Sequence, residues 1–169
     1  MKKFGSSQSV KRLEDARLLT GQGRYIDDIA PKDALVGFVL RSPVAHGTIT
    51  TLDLDAARAA DGVHMIITGA DIEAAGYLNA MRYVTVKNGD GSDAAAPRRP
   101  VLTTSRVRFV GEAVAFIVAD SLAQARDAAE MIELDIDDLP VKLDLSAGGA
   151  ALHDEAPDNV AYNWEHGDE

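Results

Sequence analysis

One continuous stretch, from Val107 to Asp144, constrains the fold more than any other part of the chain. Ala113 to Ala119 is an unbroken apolar run with Phe116, Ile117 and Val118 inside it, short enough for a strand and apolar enough for one buried on both faces. Ser121 is placed to cap a helix that begins at once. Gln124, three residues later, predicts a reciprocal capping box. Leu122, Ala125, Ala129 and Ile132 then share one helical face. Beyond the helix, Ile132, Leu134 and Ile136 alternate with Glu133, Asp135 and Asp137, the period of a strand with one wet face, and Leu139-Pro140 ends it.

A second strand–helix–strand unit precedes this one. Leu35 to Leu40 and Thr48 to Leu54 read as strands, and a short helix from Ala56 to Ala60 follows with Asp55 as its cap. Gly62 ends that helix in a left-handed conformation, and Val63 to Thr68 returns as a strand. Met1 to Thr20 lacks sustained periodicity and reads as an arm, with Gly21-Gln22-Gly23 and Asp27-Asp28 as turns leading into the domain. Lys87 to Pro100 is rich in turn formers and nearly free of apolar residues, so a mobile loop is expected. Ser146 to Ala150 closes the domain, and Leu152 to Glu169 reads as a linker or an edge strand. Trp164 in that tail should pack on something, since a large indole is costly to leave in water.

Composition removes several classes of function. The chain has no cysteine, which excludes disulfides, thiolate nucleophiles and iron–sulfur ligation from within it. The net charge of -10 argues against a nucleic-acid surface. No apolar run is long enough to span a bilayer, and Phe4 to Ser9 supplies no apolar core for a secretory signal, so a cytoplasmic location is expected.

Candidate chemistry is sparse. Gly21-x-Gly23 lacks the third glycine and the preceding strand of a dinucleotide fingerprint. His46, His64, His153 and His166 are far apart in sequence, with no metal-binding helical spacing, and His46 is placed to orient a loop. Glu133, Asp135, Asp137 and Asp138 could hold a hard cation, but alternation on a half-buried strand explains them more simply. Arg98-Arg99 lies between two prolines, and a contact with phosphate or an acidic partner competes with a plain surface role. No Ser/His/Asp order or phosphate-cradling glycine loop is present.

The Val107 to Asp144 stretch resembles the segment closing the N-terminal α/β-hammerhead domain of the molybdenum-cofactor-binding large subunit in the xanthine dehydrogenase and aldehyde oxidase family. RLEDARLLTGQGRYIDDI (Arg12 to Ile29) resembles the family's opening segment, LRSPVAHGTI (Leu40 to Ile49) its first strand and turn, and GVHMIITGADI (Gly62 to Ile72) its next strand and turn. NVAYNWEHGDE resembles its exit linker. The opening segment and the insert from Tyr77 to Leu102 look most like the aerobic carbon monoxide dehydrogenase large chain. The chain departs from the usual family pattern at Gly47-Thr48, where Ala-Arg is common, and at Ala113, where Pro is frequent.

The resemblance implies an α+β fold of hammerhead type, with a mixed sheet and two main helices. It divides the chain into an arm (1–19), the hammerhead domain (20–145) and a linker (146–169) toward domains that hold the molybdopterin cofactor. It also implies an iron–sulfur small subunit and an FAD-binding medium subunit as partners, with a small substrate oxidised at molybdenum and electrons passed to those centres. No catalytic, cofactor-binding or metal residue of the family maps onto this segment. The rival readings are a stand-alone, non-enzymatic interaction module of the same fold, or a large-subunit fragment of an aldehyde or heteroaromatic dehydrogenase.

Overall fold

The apolar run at the centre of the sequence is also the centre of the structure. In the computed structural model, which describes residues 11–81 and 86–167, Ala113–Ala119 forms β5, the middle strand of a three-stranded antiparallel sheet. β1 (Val36–Arg41) and β3 (Val63–Thr68) flank it. Phe38 and Ile66 both meet Ile117 across the ladder, so the three strands stack one apolar row. A helix, α4 (Leu122–Glu130), covers that row. Its Ala125, Ala128 and Ala129 sit over Ala115, Ile117 and Ala119 in the core, small side chains on both layers that let the helix approach closely.

Ser121 caps α4 as expected, its hydroxyl accepting from the Gln124 backbone N–H at 3.3 Å. The reciprocal half of the box is not formed. Gln124 Oε1 instead accepts from the Ser121 hydroxyl at 2.6 Å, and its amide nitrogen donates toward the Asp61 carbonyl. Leu122 does not join the buried face and stays 43% exposed. A helical side chain leans toward the N-terminus, so a first-turn residue covers surface ahead of the helix rather than the sheet under its middle. Ala128 takes its place.

The second sheet has the order β4–β2–β6, again antiparallel throughout. β2 is Gly47–Asp53, β4 the short pair Arg106–Val107 and β6 Glu133–Asp138. A mixed sheet was expected; among the described residues the strands form two antiparallel sheets. Each strand–helix–strand unit sends its two strands to different sheets: β2, α2 (Asp55–Arg58) and β3 in one, β5, α4 and β6 in the other. The crossover that would make a parallel pair within one sheet therefore never closes, and α2 packs against α4 between the two units. Gly47 permits the close pairing of β2 with β6, because a Cβ there would lie 2.4 Å from Ile136 Cγ2.

Of the two helices expected, α4 is the longer and α2 is a single turn. α2 begins one residue early, at Asp55, because Leu54 is already helical; the cap is supplied by Asp53, whose carboxylate accepts from the Asp55 N–H at 2.8 Å. A third helix, α3 (Gly69–Ala74), occupies what reads as a turn. Thr68 and Asp71 form a complete capping box there. Gly62 has φ +75°, the left-handed conformation predicted for it.

The described residues up to Ala34 form a unit of their own. Within it α1 (Asp15–Leu19) is followed by a turn at Gly21, whose φ is +71° and whose N–H donates to the Leu18 carbonyl, while Gly23 lies beyond it in irregular backbone. Residues 1–10, the first part of the arm expected over 1–19 and the part that bears on a signal segment, lie outside the described residues, as do 82–85 of the insert and the last two residues of the exit segment; the rest of the arm contains α1. Residues 152–167 contain no strand, contrary to one of the two expectations for them. Their backbone is tied down locally instead: the Asn159 side chain bonds Gly148, Ala150 and Leu152, and Asn163 exchanges bonds with Asn88 and Gly89.

Candidate docking surface

The residues singled out for chemistry are not gathered. His64 pairs with Asp120 at 2.7 Å on an exposed surface, and His166 stacks on Trp164 at a ring separation of 5.7 Å. That stacking is what Trp164 finds to pack on; the indole remains 59% exposed. Among the described residues no group of three or more His, Asp or Glu is arranged to hold a metal ion. Glu133, Asp135, Asp137 and Asp138 line β6 and are exposed. β6 is an edge of its sheet, and a row of charge there discourages another strand from adding to it.

Two of the segments that carry the family resemblance meet in space although some 70 positions separate them. The Arg41 guanidinium donates to the Gly111 carbonyl at 2.8 Å, Ser42 exchanges backbone bonds with Gly111 and Glu112, and both Ser42 and Glu112 are buried. The Glu112 carboxylate turns back onto the Arg108 backbone N–H at 2.5 Å, which satisfies one of its buried oxygens. His46 orients a loop, as its position suggested. Its Nδ1 donates to the Pro140 carbonyl at 2.7 Å and its own carbonyl accepts from Leu139 N–H, which fixes the exit of β6 beside the start of β2. Nε2 of that ring is buried without a hydrogen-bond partner among the described residues.

The face of the first sheet turned away from α4 is apolar and only partly covered. Val39, Ile67 and Phe116 floor a cleft of about 460 Å³ whose walls include Ile72, Met81 and Phe109. Of its lining Met81, Val101 and Phe109 are exposed, as are Tyr77, Leu78 and Val110 close to them in sequence. A patch of this kind is characteristic of a surface that another polypeptide covers. One wall is the segment 99–102, held in place by Asn79, which is buried. Asn79 Oδ1 accepts from the N–H groups of Val101 and Leu102 at 3.1 Å each, and Nδ2 donates to the Leu102 carbonyl at 2.8 Å. Sequence reasoning passed over Asn79, because nothing local distinguishes it from a loop asparagine.

A second cleft, of about 380 Å³, adjoins the first and shares Arg99, Pro100, Phe109 and Glu112 with it. Arg98, Arg108 and His153 complete its charged lining. The Arg99 guanidinium lies 5.8 Å from the Phe109 ring centroid, a cation–π arrangement. Arg108 donates through Nε to the Leu152 carbonyl at 2.9 Å, which brings the C-terminal segment alongside. Burial holds His153 below the ordinary histidine value, and the positive charges of Arg108 and Arg106 act in the same direction, partly opposed by Glu155 and Asp154. These groups can bury an apolar surface and meet a negative one. They offer no nucleophile activated by a neighbouring base.

Comparison with known proteins gives the same assignment as the fold. Residues 20–140 match the family model described as aldehyde oxidase and xanthine dehydrogenase, a/b hammerhead domain. The chain is 41% identical over 154 residues to the nicotine 6-hydroxylase large subunit of Paenarthrobacter nicotinovorans, covering 89% of this chain and 18% of the relative. To the carbon monoxide dehydrogenase large chain of Afipia carboxidovorans it is 32% identical, covering 94% and 20% respectively. Among solved structures, quinoline 2-oxidoreductase from Pseudomonas putida 86 superposes with a TM-score of 0.69 at 39% identity, over 85% of this chain and 17% of that one. The chain thus spans about a fifth of the length of the curated relatives it matches. Its sequence and its two-sheet architecture together place it in the aldehyde oxidase and xanthine dehydrogenase family, of which it carries the a/b hammerhead domain.

Proposed function

We propose that this chain is the N-terminal structural and docking domain of a molybdenum hydroxylase large subunit, of the carbon monoxide dehydrogenase type, and that it contains no part of the catalytic centre. The observation that carries the reading is the half-covered apolar face of the first sheet in a domain whose relatives are about five times longer. The remaining large-subunit domains would cover that face, and iron–sulfur and FAD-binding subunits would complete the complex. On this reading residues 1–19 are an arm, 20–145 the hammerhead domain and 146–169 a linker. The protein would be cytoplasmic, in keeping with the finding that no helix among the described residues is long and apolar enough to cross a membrane.

On this reading the domains that follow hold the family's cofactor, and no residue of this chain is proposed as a catalytic, cofactor or metal ligand; among the described residues no group of three or more His, Asp or Glu is arranged to hold a metal ion. A second reading, a fragment of a heteroaromatic hydroxylase, is favoured by the 41% identity to the nicotine 6-hydroxylase large subunit. Sequencing the source gene past the codon for Glu169 tests both. An open frame that continues with glycine-rich cofactor segments is expected, and its active-site loop would choose between the two subgroups. A stop codon would overturn both and leave a stand-alone interaction module. Elemental analysis of the purified 169-residue chain should find no molybdenum; a stoichiometric amount would refute the absence of a cofactor site.

A further inference from the structure

The chain as a whole is acidic, with 27 Asp and Glu against 17 Lys and Arg, yet from Ala94 to Gly111 it carries Arg98, Arg99, Arg106 and Arg108 and no acidic residue. The fold concentrates this local excess further. Arg98, Arg99 and Arg108 line one cleft with His153, and the neighbouring cleft that shares Arg98, Arg108 and His153 also has Glu73 and Glu155 in its lining. None of the four arginines has a carboxylate within 4.0 Å among the described residues, although four other ion pairs form elsewhere. Glu112, the one acidic residue lining the first of these clefts, is buried and engaged with the Arg108 backbone.

We propose that this cleft binds an acidic segment of a partner polypeptide, with carboxylates on Arg98, Arg99 and Arg108 and an adjacent apolar side chain on Phe109. The proposal deepens the docking reading and rests on it. Guanidinium groups suit such an occupant because their planar forks grip carboxylates through paired hydrogen bonds. Pro97 and Pro100 bracket two of them, which limits the backbone freedom lost when a ligand is bound. Arg99 is already held over Phe109, and Phe109 also walls the apolar cleft, so a segment leaving the arginines runs directly onto apolar surface. A free small anion fits less well. Arg98 and Arg99 are exposed, and water and salt screen each exposed contact, so binding needs several contacts made together.

The test uses the 169-residue chain and a short fluorescein-labelled peptide of alternating Glu and Leu, with a Gln-and-Leu peptide as control, read by fluorescence anisotropy at low ionic strength. The Glu peptide should bind about tenfold or more tightly than the Gln peptide, and added salt should weaken it. The double variant Arg98→Gln, Arg99→Gln should lose that preference and keep its fold, with a thermal melt lowered only slightly, since both side chains are exposed, neither makes a hydrogen bond within the described residues, and the exposed contact of Arg99 with Phe109 is the interaction removed. Arg12→Gln with Arg17→Gln should leave binding unaltered. Equal affinity for the two peptides, no binding of either, or full affinity in the Arg98/Arg99 variant overturns the proposal. Displacement of the peptide by an equal concentration of inorganic phosphate would also overturn it, by making the cleft a small-anion site. These outcomes are independent of the gene sequence, so a stop codon after Glu169 would remove the large-subunit reading without altering the binding result.

Discussion

Replacing Asn79 with Ala tests whether one buried amide holds the wall shared by the two clefts. The side chain satisfies the N–H and the C=O of Leu102 and the N–H of Val101, and its amide also reaches Glu73 Oε1 at 3.3 Å. Leu102 is 5% exposed, so water cannot replace the lost partners there, whereas Val101 is half exposed and can be rehydrated. Two buried backbone groups orphaned at about 1–2 kcal/mol each give a cost of about 3 kcal/mol. For a chain of this size that is a fall in Tm of about 6–12 °C, or about 1.5 M in the urea midpoint at a slope of about 2 kcal/mol per molar. Urea titration by circular dichroism reads it directly. Asn79→Asp makes the reasoning sharper. A carboxylate can still accept from the two N–H groups but repels the Leu102 carbonyl and Glu73, while a protonated carboxyl can donate again. The Asp variant should therefore be strongly destabilised at neutral pH and should narrow its deficit relative to wild type as the carboxyl protonates. A loss below about 1 kcal/mol in the Ala variant, or an Asp deficit independent of pH, would refute the account.

Two further perturbations probe the frame behind the surface. Thr68→Val removes the hydroxyl that accepts from Asp71 N–H and donates to its carboxylate, and should cost about 1 kcal/mol by the same urea assay. Those bonds from the Thr68 hydroxyl and backbone, with a smaller contribution from Arg58, hold the Asp71 carboxyl below its ordinary value. A depressed carboxyl contributes stability above its unfolded pKa and loses it as pH falls through the folded one, so Asp71→Asn should flatten the acid limb of the stability curve; an unchanged limb would contradict this. Gly47→Ala places a Cβ 2.4 Å from Ile136 Cγ2 and 2.7 Å from the Asp137 carbonyl. The carbonyl is backbone, so β6 must move at a cost of about 2 kcal/mol, and hydrogen exchange should quicken along β6 before β5; uniform protection in both strands would count against it.

The elements that were legible are those whose signal is local. β5 falls at the residues expected, because seven apolar positions between polar flanks leave little choice of length or state. α3 was hidden because Thr-Gly-Ala-Asp serves a turn as readily as a helix start; only the closed box between Thr68 and Asp71 decides between them. The division into two sheets was not legible at all. Nothing within Gly47–Asp53 states that it will pair with Glu133–Asp138, some 85 positions away, and two consecutive strand–helix–strand patterns look the same whether each closes one parallel sheet or divides between two.

The docking surface shows a different limit. Each of its parts, an Asn in a loop, two arginines between prolines, a phenylalanine beside a valine, is ordinary alone, and only the fold brings Arg98, Phe109 and His153 to one place. Yet the sequence carries a trace of the proposed contact. Ala113 to Ala119 reads as a strand buried on both faces, and β1 beside it is apolar on both faces too, through Phe38 and Leu40 on one side and Val39 on the other. The chain supplies a full cover for one side only: α4 buries Ala115, Ile117 and Ala119, while on the other face Val114 is buried but Phe116 and Val118 stay half-buried. A strand patterned for two dry faces but covered on one supports the proposal that a further layer docks there. Where that layer carries carboxylates beside an apolar side chain, it would meet the arginine cleft and the apolar floor in a single contact, the arrangement the Glu-and-Leu peptide imitates.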